Sequence, residues 1–312
     1  MTSPPERIGD IPFSRFDDYF PGGRVYIDYG ACRIAATAPV AELKAAFHRV
    51  YGAFAYLPRN DFSDFHVGIH SGRGLRRWLR PTVRFSIDGV EPFDPYPRGS
   101  ALPMFEWGVN WCFAQRFNQY VLLHAGALAL GDRAVIMAAT PGSGKSTLAA
   151  ALMLRGFRLL SDEFGVLDPA SGLLLPMLKP VALKNRSIEV IREFSAQAVL
   201  GPVFPETRKG DVAHLAPDAA SADAGSRPAR PALVLFPRYQ AGAALELLPQ
   251  PREQAFARLA FNSFNYALLG PVAFHAVADL AEHCQAFELR YGSLDEAVAR
   301  IRALLATGDS SP

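Results

Sequence analysis

Apolar and polar positions follow two different periods along this chain, and the change from one to the other divides it into elements. From about residue 10 to 100, short runs of β character (Arg24 to Tyr29, Phe65 to His70 and Thr82 to Ile87) surround one stretch of helical period. In that stretch, Val40 to Tyr51, the residues Val40, Leu43, Ala46, Phe47 and Val50 recur every three or four positions and share one helix face. The exit from this small α+β unit, VEPFDPYPRGSALP, carries Pro92, Pro95, Pro97 and Pro103. Each proline removes an amide donor, so the stretch reads as a loop, and a boundary is expected near residue 100 between an N-terminal α+β domain (1–100) and a larger domain (101–312).

The segment MFEWGVNWCFAQRFNQY then predicts a buried helix, with Trp107, Val109, Trp111, Phe113 and Phe117 as packing residues. The central stretch, residues 121–163, holds an apolar strand (Ala134 to Ala139), a glycine-rich turn closing on Lys145 and Ser146, a helix ending at Gly156, and a second apolar segment that delivers Asp162 and Glu163. FGVLDPASGLLLPML reads as a hairpin, and KPVALKNRSIEVIREF leads into a short helix. Residues 201–231 lose apolar period and fill with Pro, Ala, Asp, Gly and Ser, which predicts a long mobile loop able to serve as a lid. PALVLFPRY is a buried strand, residues from about 251 to 283 form two helices parted by Gly270 and Pro271, and QAFELRYG is a last strand. In the final helix Ser293 and Glu296 stand at capping-box spacing, and Leu294, Val298, Ile301 and Leu305 form the buried stripe.

Composition changes this picture little. Half of the 312 residues are apolar and a fifth are charged, the balance of a folded globular protein. A net charge of +2 provides no global field for nucleic acid or an anionic membrane. One local exception, Arg73 to Arg84, gathers Arg73, Arg76, Arg77, Arg80 and Arg84 without an acid; a solvated face over Trp78 is favoured there over a docking patch for an acidic peptide or RNA. Cys32, Cys112 and Cys284 are too far apart for a CxxC metal site and odd in number, and read as reduced thiols. There is no basic start followed by an apolar core and no apolar run of spanning length, so a cytoplasmic location without membrane contact is expected.

The chemistry sits in the central stretch. The P-loop pattern G-x-x-x-x-G-K-[ST] is met from Gly144 onward, with Ala139 in place of the first glycine. The turn residues Pro141, Gly142, Ser143 and Gly144 would aim backbone amides at phosphate oxygens, and the helix starting near Ser146 adds its positive end. Lys145 can span β- and γ-phosphates, the Ser146 hydroxyl can ligate Mg²⁺, and Thr147 fits the first helical turn. Asp162 and Glu163 follow after one helix and one short strand. Beside such a loop, one carboxylate can hold Mg²⁺ while the other accepts a proton from an attacking hydroxyl. His124 alone reads as a core histidine.

These residues resemble the catalytic domain of HPr kinase/phosphorylase. The match runs through His124-Ala-Gly126, Gly142-Ser-Gly144-Lys145-Ser146, Arg155-Gly156 and Leu159-Leu160-Ser161-Asp162-Glu163, in that order. A closer resemblance is to the bacterial group called HprK-related kinase A, and it extends over nearly the whole chain, including EWGVNW, LLSDE, KPVALKNRSI, FPRY and FNSFNYALLG. It implies an α/β P-loop kinase domain of HPr kinase type, a mixed sheet flanked by helices, behind the small α+β domain. It further implies transfer from ATP to a serine hydroxyl of a peptide or protein, with Mg²⁺ held by Ser146, Asp162 and Glu163, Asp162 as base and His124 assisting the acids. Lys184, Asn185 and Arg238 are secondary candidates for contacting phosphate or acceptor. A PqqD-like peptide chaperone as partner and assembly into homo-oligomers belong to the same expectation. The chain departs from HPr kinase in carrying Asp-Glu for two aspartates and KPVALKN for the arginine-glycine signature, and its N-terminal unit does not resemble that enzyme's regulatory domain. The reverse phosphorylase reaction, sugar-bisphosphate control and the HPr substrate are therefore not carried over. Two alternatives stand beside this reading: a nucleotide-dependent accessory protein that transfers nothing, and a small-molecule kinase. ATP is preferred to GTP because no Asn-Lys-x-Asp motif occurs.

Overall fold

The fold is taken from a computed structural model, which describes residues 6–38, 40–59, 62–72, 79, 81–140 and 142–306. In the N-terminal part β1 (Arg24–Asp28) pairs antiparallel with β2 (Arg33–Thr37), helix α1 (Ala41–Val50) crosses over, and β3 (Phe65–Ser71) lies parallel to β2. A parallel neighbour requires such a crossover, and α1 is the helix that the apolar period predicts. β4 (Thr82–Ile87) and β5 (Tyr96–Pro97) complete a five-stranded sheet in order β1-β2-β3-β4-β5. Positions 73–78 and 80 of the arginine run lie outside the described residues, while Arg84 on β4 pairs with Glu91.

Helix α2 (Ala101–Arg116) packs on this sheet. A Cβ at Gly108 would stand 2.3 Å from the Phe85 ring, so only glycine lets the helix backbone come this close. Phe105, Val109 and Phe113 are buried as predicted, whereas Trp107 is exposed at 42% and lies against Phe93.

The larger sheet begins with β6 (Val121–Leu130) and β7 (Arg133–Ala138), joined by a tight turn. The chain then passes through helix α3 (Lys145–Leu154) and returns as β8 (Arg158–Ser161) and β9 (Phe164–Leu167), both antiparallel to β6, with β10 (Leu174–Leu175) closing the predicted hairpin. Helix α3 stops where the sequence indicates: Gly156 takes φ +89°, and the amide of Phe157 bonds back to the Leu152 carbonyl. β11 (Val181–Lys184) precedes helix α4 (Arg186–Phe194) and pairs, in a separate three-stranded sheet of order β11-β13-β12, with β13 (Gly210–Leu215), itself paired to β12 (Phe204–Thr207). β14 (Arg230–Tyr239), β15 (Glu246–Pro249) and β16 (Gln285–Tyr291) extend the large sheet to the order β10-β9-β6-β7-β14-β16-β15. β7, β14 and β16 run parallel and the rest antiparallel, so the sheet is mixed.

Period-two burial sends the two faces of this sheet into different layers. On β6 the odd positions Val121, Leu123, Ala125, Ala127 and Ala129 pack with α5 (Arg252–Phe261) and α6 (Pro271–His283). Leu122 and Leu128 face the layer holding α3, α4 and α7 (Leu294–Ala306). The protein is thus α/β, with mixed sheets flanked by helices. Helix α3 is apolar nearly all round because it is buried between the sheet and two further helices.

Residues 201–231 correct the expectation of an unpacked loop. They contain β12, β13 and a short helix, Ala219–Asp223, with Val212, Ala213 and Leu215 buried. Asp218 caps that helix, and the Ser221 hydroxyl accepts the amide of Leu159 at 2.8 Å. Both strands are short, β13 pairs with β11 more than twenty residues away, and β12 joins the sheet only through β13, so local period carries little trace of them. Among the described residues no helix is long and apolar enough to cross a membrane. The three cysteines are buried free thiols, and burial pushes Cys112 and Cys284 up to about 12.

Candidate functional site

The glycine-rich turn follows β7 and caps α3. Gly142 and Gly144 have φ of +88° and +91°, the left-handed region in which a side chain is strained. Gly144 is also held from outside: a Cβ there would stand 2.7 Å from the Tyr291 hydroxyl and 2.9 Å from Tyr239 Cβ. The amide of Tyr239 donates to the Ser143 carbonyl at 2.9 Å, and the Tyr291 hydroxyl to the Gly144 carbonyl at 3.3 Å. The ends of β14 and β16 therefore fix the turn. Gly144 makes no side-chain cap, and a helix's first-turn amides have no partner within it, so the start of α3 is an open donor set. Pro141 lies outside the described residues; Thr147 sits in the first turn, partly buried.

Asp162 and Glu163 occupy an interruption in one long strand. Ser161 pairs with Ala127 and Phe164 with His124, leaving two residues on each side between these pairs. In an unbroken strand adjacent side chains point to opposite faces. Here the ladder is open at the two acids, and the Ser161 hydroxyl accepts the amides of Glu163 at 3.3 Å and Phe164 at 3.0 Å. The Asp162 backbone carbonyl lies over Gly126, 3.7 Å from where a Cβ there would stand.

Lys145, nearly buried, donates to the backbone carbonyl of Asp162 and lies 3.8 Å from its Oδ1. Burial acts most strongly on the Asp162 carboxyl, and the Ser146 hydroxyl is near enough to act against it. His124 Nε2 stands 3.7 Å from Glu163 Oε1. Burial raises the Asp162 carboxyl above its ordinary value, against the lowering pull of Lys145. Burial also acts to raise Glu163, but Lys145, His124, Lys209 and Lys184 together hold it below the usual range. Burial lowers His124, with Glu163 opposing, so its imidazole is neutral near pH 7. Asp162 Oδ1 is buried without a hydrogen-bond partner among the described residues. The hydroxyl and two carboxylates are hard oxygen donors, a set that suits Mg²⁺, whose other positions go to water and phosphate. Among the described residues no group of three or more His, Cys, Asp or Glu is arranged to hold a metal by itself.

A cleft of about 710 Å³ opens from Thr140, Gly142 and Ser143 toward Arg238 and Tyr239 at the carboxyl end of β14, with Arg258, Phe261 and Asn262 opposite. Crevices beyond the carboxyl ends of parallel strands are the usual ligand sites of α/β sheets. Arg238 lines this cleft and not the pocket behind the acids. That second pocket, about 30 Å³, is walled by Asp162, Glu163, Glu106, Lys179 and His214.

Lys184 ends β11 on the acid side of the site, its ammonium lowered by burial and then by Lys209. The Asn185 side-chain oxygen is taken up by the amide of Asp211 at 3.0 Å, which fastens the β12–β13 turn. Sequence reasoning missed Lys209 in that turn, because its neighbourhood reads as loop. It also missed Asn262, whose carbonyl accepts the His124 amide at 2.5 Å. The FNSFN segment docks along β6 beside His124, with Phe264 5.2 Å from the imidazole. Tyr239 and Tyr291 carry no sequence signal of their contact with Gly144.

Fold and site together define an α/β protein with a glycine turn at one strand's end and a lysine shared between that turn and a buried acid. No family model matches the chain, and a search of curated proteins returns no match.

Proposed function

We propose that the protein is a Mg²⁺- and ATP-dependent kinase of HPr kinase type that transfers the γ-phosphoryl group to a hydroxyl, that of a serine in a peptide or protein. The observation that carries this reading is the convergence of the glycine turn and the acid pair on one lysine: Lys145 leaves the turn and meets Asp162, 3.8 Å from its carboxylate. Further support comes from opposite shifts in the two acids, a pattern that separates a base from a group kept ionised.

In this reading the turn amides and Lys145 hold the β- and γ-phosphates, and the nucleoside lies in the 710 Å³ cleft between Tyr239 and the Phe261–Asn262 end of α5. Ser146, Asp162 and Glu163 hold Mg²⁺, which supplies neutralisation of the β- and γ-oxygens when bound. Asp162 takes the proton of the acceptor hydroxyl as its oxygen bonds to the γ-phosphorus and the bond from that phosphorus to the bridging oxygen breaks, leaving ADP. Neutral His124 keeps Glu163 oriented. A peptide acceptor, a peptide chaperone of PqqD type and self-assembly belong to this same reading through the resemblance.

The test is incubation of the purified chain with γ-labelled ATP, Mg²⁺ and candidate serine peptides, followed by mass spectrometry for phosphate on serine or threonine. Labelled product that Lys145→Ala abolishes is expected. Absence of product with both chains, while nucleotide still binds, returns the protein to the class of nucleotide-dependent accessory factors.

A further inference from the structure

The three-stranded sheet turns a histidine toward the space behind the acids. On β13 Ala213 and Leu215, and on β11 Val181 and Leu183, belong to the large apolar cluster. By the two-residue period His214 and its register partner Ala182 therefore point to the other face. Both line the pocket of about 30 Å³, whose remaining walls come from the Ser161–Phe164 break, from Lys179 and from Glu106 and Asn110 on α2. Parts of the chain far apart in sequence close there on one small space.

Most polar groups of that wall are engaged. Glu106 accepts the Tyr51 hydroxyl and pairs with Lys179, whose ammonium also donates to the Glu106 carbonyl and to Asn110 Oδ1. The Ser161 hydroxyl accepts the amides of Glu163 and Phe164. Two lining residues nonetheless carry a buried side-chain atom with no hydrogen-bond partner among the described residues: Asp162 at Oδ1 and His214 at Nδ1. The residues are 6% and 2% exposed. A buried polar atom left unpaired is costly, and buried waters are commonly found where they satisfy such atoms.

The chemistry of the wall selects water over an ion. A space of about 30 Å³ admits one water, which needs on the order of 10–15 Å³. Water can donate one hydrogen to the carboxylate oxygen and the other to Nδ1 of the imidazole, which burial keeps neutral. A divalent cation takes about six oxygens, and here Glu106, Asn110 and Ser161 already serve other donors.

We propose that this pocket holds one structural water bridging His214 Nδ1 and Asp162 Oδ1, and that His214 is thereby a positioning residue of Asp162. The bridge needs no nucleotide; its bearing on transfer rests on the kinase reading, in which Asp162 takes the acceptor's proton. Fixing one oxygen of the carboxylate from behind fixes the direction of the other. Groups that orient a site carboxylate in this way change activity by about tenfold or more without touching the reacting atoms.

The experiment is a crystal structure of the full chain with its ordered solvent, alongside His214→Phe and His214→Gln, together with urea unfolding of His214→Phe, Asp162→Asn and the double variant. The parent should show one water within hydrogen-bond distance of both atoms. His214→Phe should leave the pocket dry, and His214→Gln should keep the water. Asp162→Asn should shift the urea midpoint upward by more in the His214→Phe chain than in the parent, because there the charged oxygen has lost its donor. In transfer, His214→Phe should lower kcat by about tenfold with KM for ATP unchanged, and His214→Gln should recover it. A parent pocket without water, a direct bond between His214 and Asp162, or an ion in the water's place overturns the bridge. Equal midpoint shifts in the two backgrounds, or an unchanged kcat in His214→Phe, overturn the positioning role. A parent that transfers no phosphate, yet shows the water and the unequal shifts, removes the kinase reading and leaves the bridge standing.

Discussion

The buried pair Glu106–Lys179 ties α2, which packs on the N-terminal sheet, to the segment behind the acids, and removing one partner should unfold more than that contact. Lys179 Nζ lies 3.1 Å from Glu106 Oε2 and donates to the Glu106 carbonyl at 2.8 Å and to Asn110 Oδ1 at 2.6 Å. The Tyr51 hydroxyl donates to Glu106 Oε1 at 2.5 Å and meets the Tyr29 hydroxyl at 3.0 Å. Both side chains of the pair are under a tenth exposed. Lys179→Met leaves a carboxylate with a tyrosine for company in a site closed to bulk water, a loss of about 3–5 kcal/mol. Glu106→Leu leaves the ammonium with two neutral acceptors and loses a similar amount. The double variant removes both charges and keeps the volume, so its loss should fall below either single one, since an apolar replacement of a buried pair is often neutral. Urea unfolding followed by circular dichroism gives the three free-energy differences. Additive losses, or a single loss under about 1 kcal/mol, would refute the claim that the pair is desolvated and coupled.

On the proposed kinase reading, Asp162→Asn should keep nucleotide affinity and lower phosphoryl transfer by about a hundredfold or more, or about 2.7 kcal/mol of barrier; near-normal turnover removes Asp162 from the role of base. Because burial raises that carboxyl, its ionised form opposes folding, and the same variant should resist urea better than the parent at pH 7; lower resistance would mean that the charge is compensated. His214 predicts acid sensitivity. Burial lowers its imidazole to about 4, with Glu106 opposing and Lys179 assisting, against about 6.5 in the unfolded chain. Its contribution is complete above pH 6.5 and lost as pH falls to 4, about 3 kcal/mol, so His214→Leu should flatten the stability profile in that window, and an unchanged slope would count against it.

How much of this was legible follows from which interactions are local. The glycine-rich turn, the helix after it, the Gly156 stop and the Phe164–Leu175 hairpin are written in nearest neighbours, where glycine φ and apolar period decide the outcome. Helix α2 was legible for the same reason, although the exposed Trp107 was not, since its packing against Phe93 belongs to a loop with no period. The strands at 204–215 were invisible because β12 is four residues long and irregular in register against β13, while the other partner of β13, β11, lies more than twenty residues away. The candidate site divides in the same way. Lys145, Ser146, Asp162 and Glu163 could be named from order and spacing alone. Arg238 could be named but not placed, and it lines the cleft of about 710 Å³ beside the glycine turn instead of the acids. Lys209 and Asn262 could not be named, because their relevance comes from an Asn185–Asp211 exchange and from docking along β6, neither of which leaves a local pattern.

The short spacing between Lys145 and the acids has a geometric cause. Helix α3 has ten residues, about 15 Å of rise, and the chain needs that length once to climb away from the turn and again, extended, to come back. It returns on β6, the antiparallel neighbour of β7, so no further strand must be laid down before the acids arrive. A strand that simply continued would point one acid into each apolar layer of the sheet, where an unpaired charge is untenable. The interruption after Ser161 avoids this, since the Ser161 hydroxyl takes the amides of Glu163 and Phe164 where the ladder to β6 is open. Serine at that position is therefore as much a part of the candidate site as the acids themselves, because it holds the backbone at the break that carries both of them.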